Sequence, residues 1–395
     1  MEKIINNTSK ELQFITPDDG YHYFFGYYDM RATGEKGKHL CHRVPFFDRD
    51  PNAQDVAELG YLEDGKFVKF AETTAWNFQQ GAMLQYHPDL ENTVFYNTCE
   101  DGKFYTVTHN FVTGEKKYAE RATACISPNG KWGLGINFGR IFTFRAGYGY
   151  AGYVDDYENE NAPKDDGVFL VDMEKGSSKQ IVSYKDLYKI SGFTEEDKIL
   201  INHITFNTDS NAFLMLVRNF PQRDANGKVD KGWSTSVIIS DLEGNLRPLL
   251  KNTYFSHYYW RNATQIVAHC TVEPDKRSLY IIDTETGAWK EYDMPYFAAR
   301  KARNQSMDIH CSFSPDGKYI IGDGYPADGY RYIVGYNMLT GTSKELLLVR
   351  DCGLTGDIRC DLHARIVWGG KYITFDTNCA DKRQIVQISA DILDF

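Results

Sequence analysis

The sequence is poor in several features that would have decided its class at once. No apolar run approaches the roughly 20 residues of a membrane-spanning helix, and the first residues, MEKIINNTSKELQF, lack the apolar core of an export signal. The eight cysteines stand apart, at Cys41, Cys99, Cys125, Cys270, Cys311, Cys352, Cys360 and Cys379, and none forms a CxxC pair. Without an export signal they read as reduced thiols of a cytoplasmic protein. Basic charge is also short, with 44 Lys and Arg against 54 Asp and Glu, a net of −10. That excludes a global footprint for nucleic acid, so an anionic ligand would need a locally positive pocket. HExxH, GxSxG and kinase signatures are missing. No segment sustains a 3.6-residue apolar period over several turns, so long amphipathic helices are not expected.

What is present is aromatic residues and a repeat. Aromatics make up 14% of the 395 residues, a bias that favours strands. HITFNTDSNAFLML from His203, HYYWRNATQIVAHC from His257, HCSFSPDGKYIIGD from His310 and HARIVWGGKYITFD from His363 each read as strand, turn, strand, with starts 54, 53 and 53 residues apart. Segments from Met83 and Thr123 fit the same frame without the His, and residues 24–43 are a divergent copy. Between these copies lie HNFVTGE, VDMEKGS, SDLEGN, IDTETGA and YNMLTGT, each an Asn or Asp with a following Gly at the end of an apolar run. These are hairpin turns. Two hairpins per unit make four strands, and seven units of about 40–55 residues match propeller blades. The reading is all-β, one seven-bladed β-propeller domain over residues 1–395. The last strand, near QIVQISADIL, is expected to pair with N-terminal sequence and close the ring. Residues 145–167 and 219–233 break the frame as long loops, which in compact domains are commonly functional.

In a propeller, inner strands start, and second strands end, on one face. The first of these rings of positions holds His203, His257, His310 and His363. The second holds Arg43, Asn97, Asn137, Arg218, His269, Asp323 and Asp376. Four His at one register suit either a repeated structural hydrogen bond or a funnel that binds a divalent metal, zinc or manganese, or an anion. Strand alternation in GDIRCDLHAR places Arg359, Asp361, His363 and Arg365 on one face, with Asp361 able to orient His363. Gly147–Gly152 matches GxGxxG but lacks a helical continuation, so a dinucleotide site is rejected. Tyr148 and Tyr150 in that loop suit sugar stacking or ordinary packing.

These groups supply what β-elimination of a uronate needs: neutralisation of the carboxylate, a base for the C5 proton and an acid for the leaving O4. His203 and Arg218 begin and end one inner hairpin and make the first such pair. His42 and Arg43 make a second. Asp323 and Asp376 leave hydrolysis by paired carboxylates open, and a non-catalytic glycan- or protein-binding propeller is the alternative from another class.

YHYFFGYYDM, HRVPFFDRDP, ETTAWNFQQGAMLQY, NFGRI with GYGYAG, HCSFSPDGKYIIGDGYP and GDIRCDLHAR resemble a widespread bacterial propeller family. That family is similar in turn to the polysaccharide lyases of families 22, 24 and 25, which include oligogalacturonate and ulvan lyases. The resemblance implies β-elimination of an anionic oligosaccharide with a His base, here His203, helped by Arg218. It also implies a His-ligated divalent metal, at His257, His310 and His363. The oligogalacturonate pattern carries a Gln ligand near its last His pair; this chain has Arg359-Cys-Asp-Leu-His363 there, and Gln80 would compensate only by reaching the axis.

Overall fold

The computed structural model describes residues 2–395 except 35–37, 224–227, 293 and 304, with backbone alone at Arg223. Seven antiparallel sheets of four or five strands form a ring, a seven-bladed β-propeller. From blade two to blade seven the inner strands are Gln85–Tyr86, Thr123–Ile126, Ile199–Phe206, Phe255–Trp260, Ile309–Phe313 and Arg365–Val367.

The local chemistry of the turns explains the four-stranded unit. In the hairpin after Lys103–Asn110, Asn110 Oδ1 accepts from the backbone N–H of Val112 and Thr113, at 3.1 and 3.0 Å. Asp172, Asp283 and Asn337 do the same in blades three, five and six, and Asp241 in blade four accepts from Glu243 and Asn245 N–H. Such side chains mimic a backbone turn and reverse the strand.

The ring closes through the N-terminal sequence. Leu12–Phe14 is the outer strand of blade seven, with Leu12 opposite Ile388, and Ile4–Asn6 adds a fifth strand to blade six, with Ile4 opposite Val349. Closure therefore joins both ends of the chain across two neighbouring blades, and it covers sheet edges that would otherwise be free.

The inserted loops carry their own structure. Phe138–Phe144 is a short helix capped by Asn137, whose side chain accepts from Arg140 N–H. Gln222–Arg223 pairs with Val229–Lys231 beyond blade four. No helix among the described residues is long and apolar enough to cross a membrane.

Blade one departs from the others. His22–Phe24 pairs with His39–Val44, and after Phe24, before the second of these strands, the chain leaves the sheet and runs through the channel. Tyr27 and Tyr28 are buried there among residues from blades four to seven. Burial of each ring stabilises this crossing by about 2 kcal/mol. Gly26 permits it: its φ is +125°, and a Cβ would meet the backbone of Gln80 at 3.0 Å. Asp376, at the end of a second strand in blade seven, accepts from the N–H of Phe25 and Gly26 and anchors the segment.

Candidate functional site

The repeat histidines meet around Tyr27. Ring centroids of His257 and His310 are 4.2 Å apart, and those of His310 and His363 are 4.6 Å apart. Tyr27 bridges to the fourth, 4.7 Å from His363 and 5.1 Å from His203. The bulge between Ile201 and Ile204 sets His203 in this position.

Each ring is held from behind. His257 Nδ1 donates to Asp308 Oδ1 at 3.0 Å, and the same carboxylate lies 3.2 Å from His269 Nδ1 and accepts from Ser256 Oγ at 2.6 Å. His310 Nδ1 lies 3.0 Å from Asp323 Oδ2, while Asp323 Oδ1 accepts from Ala364 N–H at 2.8 Å. His363 Nδ1 donates to Gly26 O at 3.0 Å. His203 Nε2 meets Asp29 Oδ2 at 3.1 Å.

Burial and neighbours set the protonation states. Burial lowers His257 to about 4, against the pull of Asp308, so its ring is neutral near pH 7. Burial, reinforced by His310, holds His363 well below the usual imidazole range. Burial would also lower His310, but Asp323 and Asp361 raise it overall. Asp308 would be raised by burial, yet His257 and His269 hold it well below the carboxylate range.

The residues fit a divalent cation. His310, Asp361 and His363 offer ligand atoms within 4.8 Å of one another. Nε2 of His310 and Nε2 of His363 are buried without a hydrogen-bond partner among the described residues. With Nδ1 engaged behind, Nε2 is the ring nitrogen left to each for an ion, and an ion at His310 would displace the proton that its carboxylate neighbours favour. Two imidazoles and a carboxylate suit zinc or manganese. Asp361 is already attended by cations, with Arg331 Nη1 donating to Oδ1 at 2.7 Å and Arg359 Nε 2.7 Å from Oδ2. An ion would share this carboxylate with Arg359.

Arg218 stands at the same mouth. Its Nη2 donates to the carbonyls of Phe255 and Ser256 and its Nε to Thr235 Oγ1, which leaves Nη1 outside these bonds. Burial lowers this guanidinium, and nearby Arg145 adds to that. Trp233 lies under it at 4.7 Å. Tyr148 reaches over from the inserted loop and accepts from Arg359 Nη2 at 2.7 Å, and Tyr325 approaches His310 to 5.9 Å. Beside this mouth a cleft of about 740 Å³ carries Lys251, Tyr254, Arg277 and Lys301, together with Glu273 and Asp275.

Of the residues singled out in the sequence, the structure gathers His203, Arg218, His257, His310, His363, Tyr148 and Arg359. It places others elsewhere. His42 packs between blades one and two, stacked on Phe24 at 4.8 Å, and its Nε2 accepts from Ala82 N–H at 3.0 Å. Gly81 leaves room for it, since a Cβ there would stand 2.2 Å from His42 Cε1. Arg43 pairs with Glu58 between the rings of Tyr21 and Phe67. Tyr150 stacks on Phe138 at 4.2 Å and bonds Asn97. Gln80 sits in the loop behind Gly26, its backbone N–H donating to Asn77 Oδ1. Arg365 turns to Asp376 and lies over Phe25. The alternation expected across residues 359–365 fails because these residues enter the strand only at Arg365 and His363 has φ +45°. Asp361 therefore faces the free Nε2 atoms instead of orienting His363.

Tyr27, Asp29, Asp308, Tyr325 and Arg331 are site residues that the repeat did not indicate. All five lie outside the inner hairpins, Arg331 on a third strand.

No family model matches the chain, and no curated protein matches it. Solved structures do. An oligogalacturonate lyase in complex with manganese superposes with TM-score 0.64 at 15% identity, over 97% of this chain and 94% of that one. The oligogalacturonate lyase of Vibrio parahaemolyticus gives 0.64 at 15% identity over 98% and 97%. The tricorn protease reaches 0.51 at 11% identity, with 98% of this chain covering 35% of that one. The chain thus has the seven-bladed propeller fold that the oligogalacturonate lyases share.

Proposed function

We propose that this protein is a lyase that cleaves uronate-containing oligosaccharides by β-elimination at the Tyr27 mouth of the channel. The observation that carries this reading is the convergence of His203 with its carboxylate partner Asp29, Arg218, and the His310–Asp361–His363 group around one ring. Likeness in fold to oligogalacturonate lyases supports it.

Asp29 accepts from His203 Nε2–H, which leaves the lone pair on Nδ1, an atom without a partner among the described residues. That nitrogen takes the C5 proton. Arg218 Nη1 binds the uronate carboxylate and stabilises charge as it develops on C5 and the carboxylate. Tyr148 or Tyr325 supplies the phenol that protonates the leaving O4. A divalent ion held by His310, Asp361 and His363, with His257 adjoining, would supply further neutralisation of the carboxylate. Arg359 and Tyr148 limit access of water to this space. The cations of the neighbouring cleft suit further acidic sugar units.

The test is to incubate purified protein with galacturonate-, glucuronate- and iduronate-containing oligosaccharides and to follow ultraviolet absorbance of the C4–C5 double bond. Absorbance should rise with at least one substrate and be lost in His203→Ala. Binding without any absorbance change would instead identify a binding propeller.

A further inference from the structure

The opposite mouth of the channel carries a second cluster of unsatisfied groups. A cavity of about 370 Å³ opens there between the lower ends of blades five to seven and the channel-crossing segment. Arg31, Trp260, Ser312, Arg365 and Trp368 line it. None of His203, Arg218, His257, His310 or His363 does. Tyr28 reaches both sides, since it lines this cavity and its ring is 5.6 Å from His310.

Four of the lining residues hold buried donor atoms with no hydrogen-bond partner among the described residues: Arg31 Nη2, Ser312 Oγ, Trp368 Nε1 and Arg365 Nη1. Buried polar groups are paired in the great majority of cases, so four orphans round one cavity call for an explanation. Among the described residues the Arg31 guanidinium bonds through Nε, to Tyr86 O at 2.9 Å. Arg365 is partly neutralised, with Nη2 3.0 Å from Asp376 Oδ1. Asp29 also lines the cavity, but its Oδ2 is engaged by His203 at 3.1 Å. The unpartnered buried atoms are all donors, two of them on guanidinium groups of which Arg365 is already paired with Asp376, and their complement is an acceptor oxyanion. Trp260, Phe313 and Trp368 add aromatic wall suited to the face of a sugar ring.

We infer that this lower cavity binds a small sugar-sized molecule through a carboxylate or phosphoryl oxyanion, which accepts from Arg31, Ser312 and Trp368. The cavity shares Asp29 and Tyr28 with the Tyr27 mouth, but its unpartnered donors lie apart from the residues proposed to do the elimination. Its volume suits a ligand of one or two rings.

Calorimetric titration of the full chain with inorganic phosphate, glucose 6-phosphate and galacturonate tests it and separates the two sources of oxyanion. Each titration is run on the wild type and on Arg218→Gln, which disables anion binding at the upper mouth. Expected is one saturable site that Arg218→Gln retains and that Ser312→Ala and Arg31→Gln weaken by roughly tenfold or more. Should Arg31→Gln fail to fold, Ser312→Ala, which removes a single hydroxyl, decides alone. Absence of saturable binding for all three probes overturns the inference. So does binding that Arg218→Gln abolishes and Ser312→Ala leaves intact, since it assigns the anion to the upper mouth.

Discussion

Asp29 Oδ2 stands 3.1 Å from His203 Nε2, although 174 residues separate the two in sequence. Blade one contributes the carboxylate through a segment that leaves its sheet, and blade four contributes the imidazole. The pair fixes one tautomer of His203 and hence which nitrogen is basic. Asp29→Asn keeps the shape but offers an amide that can donate to Nε2 and shift the proton to Nδ1. Elimination is expected to fall roughly 10–100-fold with substrate KM little changed. Asp29→Ala should be no worse than Asp29→Asn if tautomer control is the role. The absorbance assay and a thermal melt of each variant check this, and a large loss of melting temperature with unchanged activity would contradict it.

The blades were legible because a turn is a local event. SPNG and SPDG reverse the chain through Ser127 and Ser314, whose hydroxyls bond Asn129 and Asp316 at 2.7 and 2.6 Å within the same few residues. The histidines could be placed because they inherit the register of those turns. The floor of the site could not. Tyr27 and Asp29 read as one more short strand, and only the closed ring turns that segment into a channel plug. Asp308 precedes its strand, and its partners, His257 and His269, come from the neighbouring blade. Alternation misassigned Asp361 and Arg365 because it assumes an extended backbone, which His363 interrupts.

Asp361 is the carboxylate between Arg331 and Arg359, and their charges, together with His310, hold it well below the usual range against its burial. Asp361→Asn would leave two buried guanidinium groups facing a neutral amide. Removing one partner of such a cluster costs about 3–5 kcal/mol. Urea denaturation should read a loss of that order. Elemental analysis should find about one zinc or manganese per wild-type chain and a substoichiometric amount in this variant. A metal-free wild type purified in the presence of both ions would remove the ligand role while leaving the stability effect.

Two histidines away from that group set an acid limit on the fold. Burial, with Arg365 adding to it, lowers His39 to about 3, and burial lowers His42 to about 4. Unfolded histidine titrates near pH 6.5. Between pH 6.5 and pH 4 the unfolded chain therefore binds more protons, and stability is present above that window and lost as pH falls through it. The slope is about 1.4 kcal/mol per pH unit for each ring. His310 runs the other way, because its raised value gives stability at low pH that is lost above pH 6.5. His42→Gln keeps an acceptor for Ala82 N–H, so denaturation curves taken from pH 7 to pH 4.5 should be flatter by about one proton.

His363 combines a free Nε2 with φ +45°, a left-handed conformation that costs a residue with a Cβ about 1–2 kcal/mol. The hydrogen bond to Gly26 O and packing against Tyr27 at 4.7 Å hold it there. Removing the imidazole separates the two effects. His363→Ala loses the ring and keeps the strain, whereas His363→Gly loses the ring and relieves it. Both should lose the bound ion to the same degree. In metal-free protein His363→Gly should be the more stable of the two by about 1 kcal/mol. Paired denaturation curves in the presence of a chelator measure this, and equal stability of the two variants would mean that the backbone at His363 relaxes out of the left-handed region once the ring is gone.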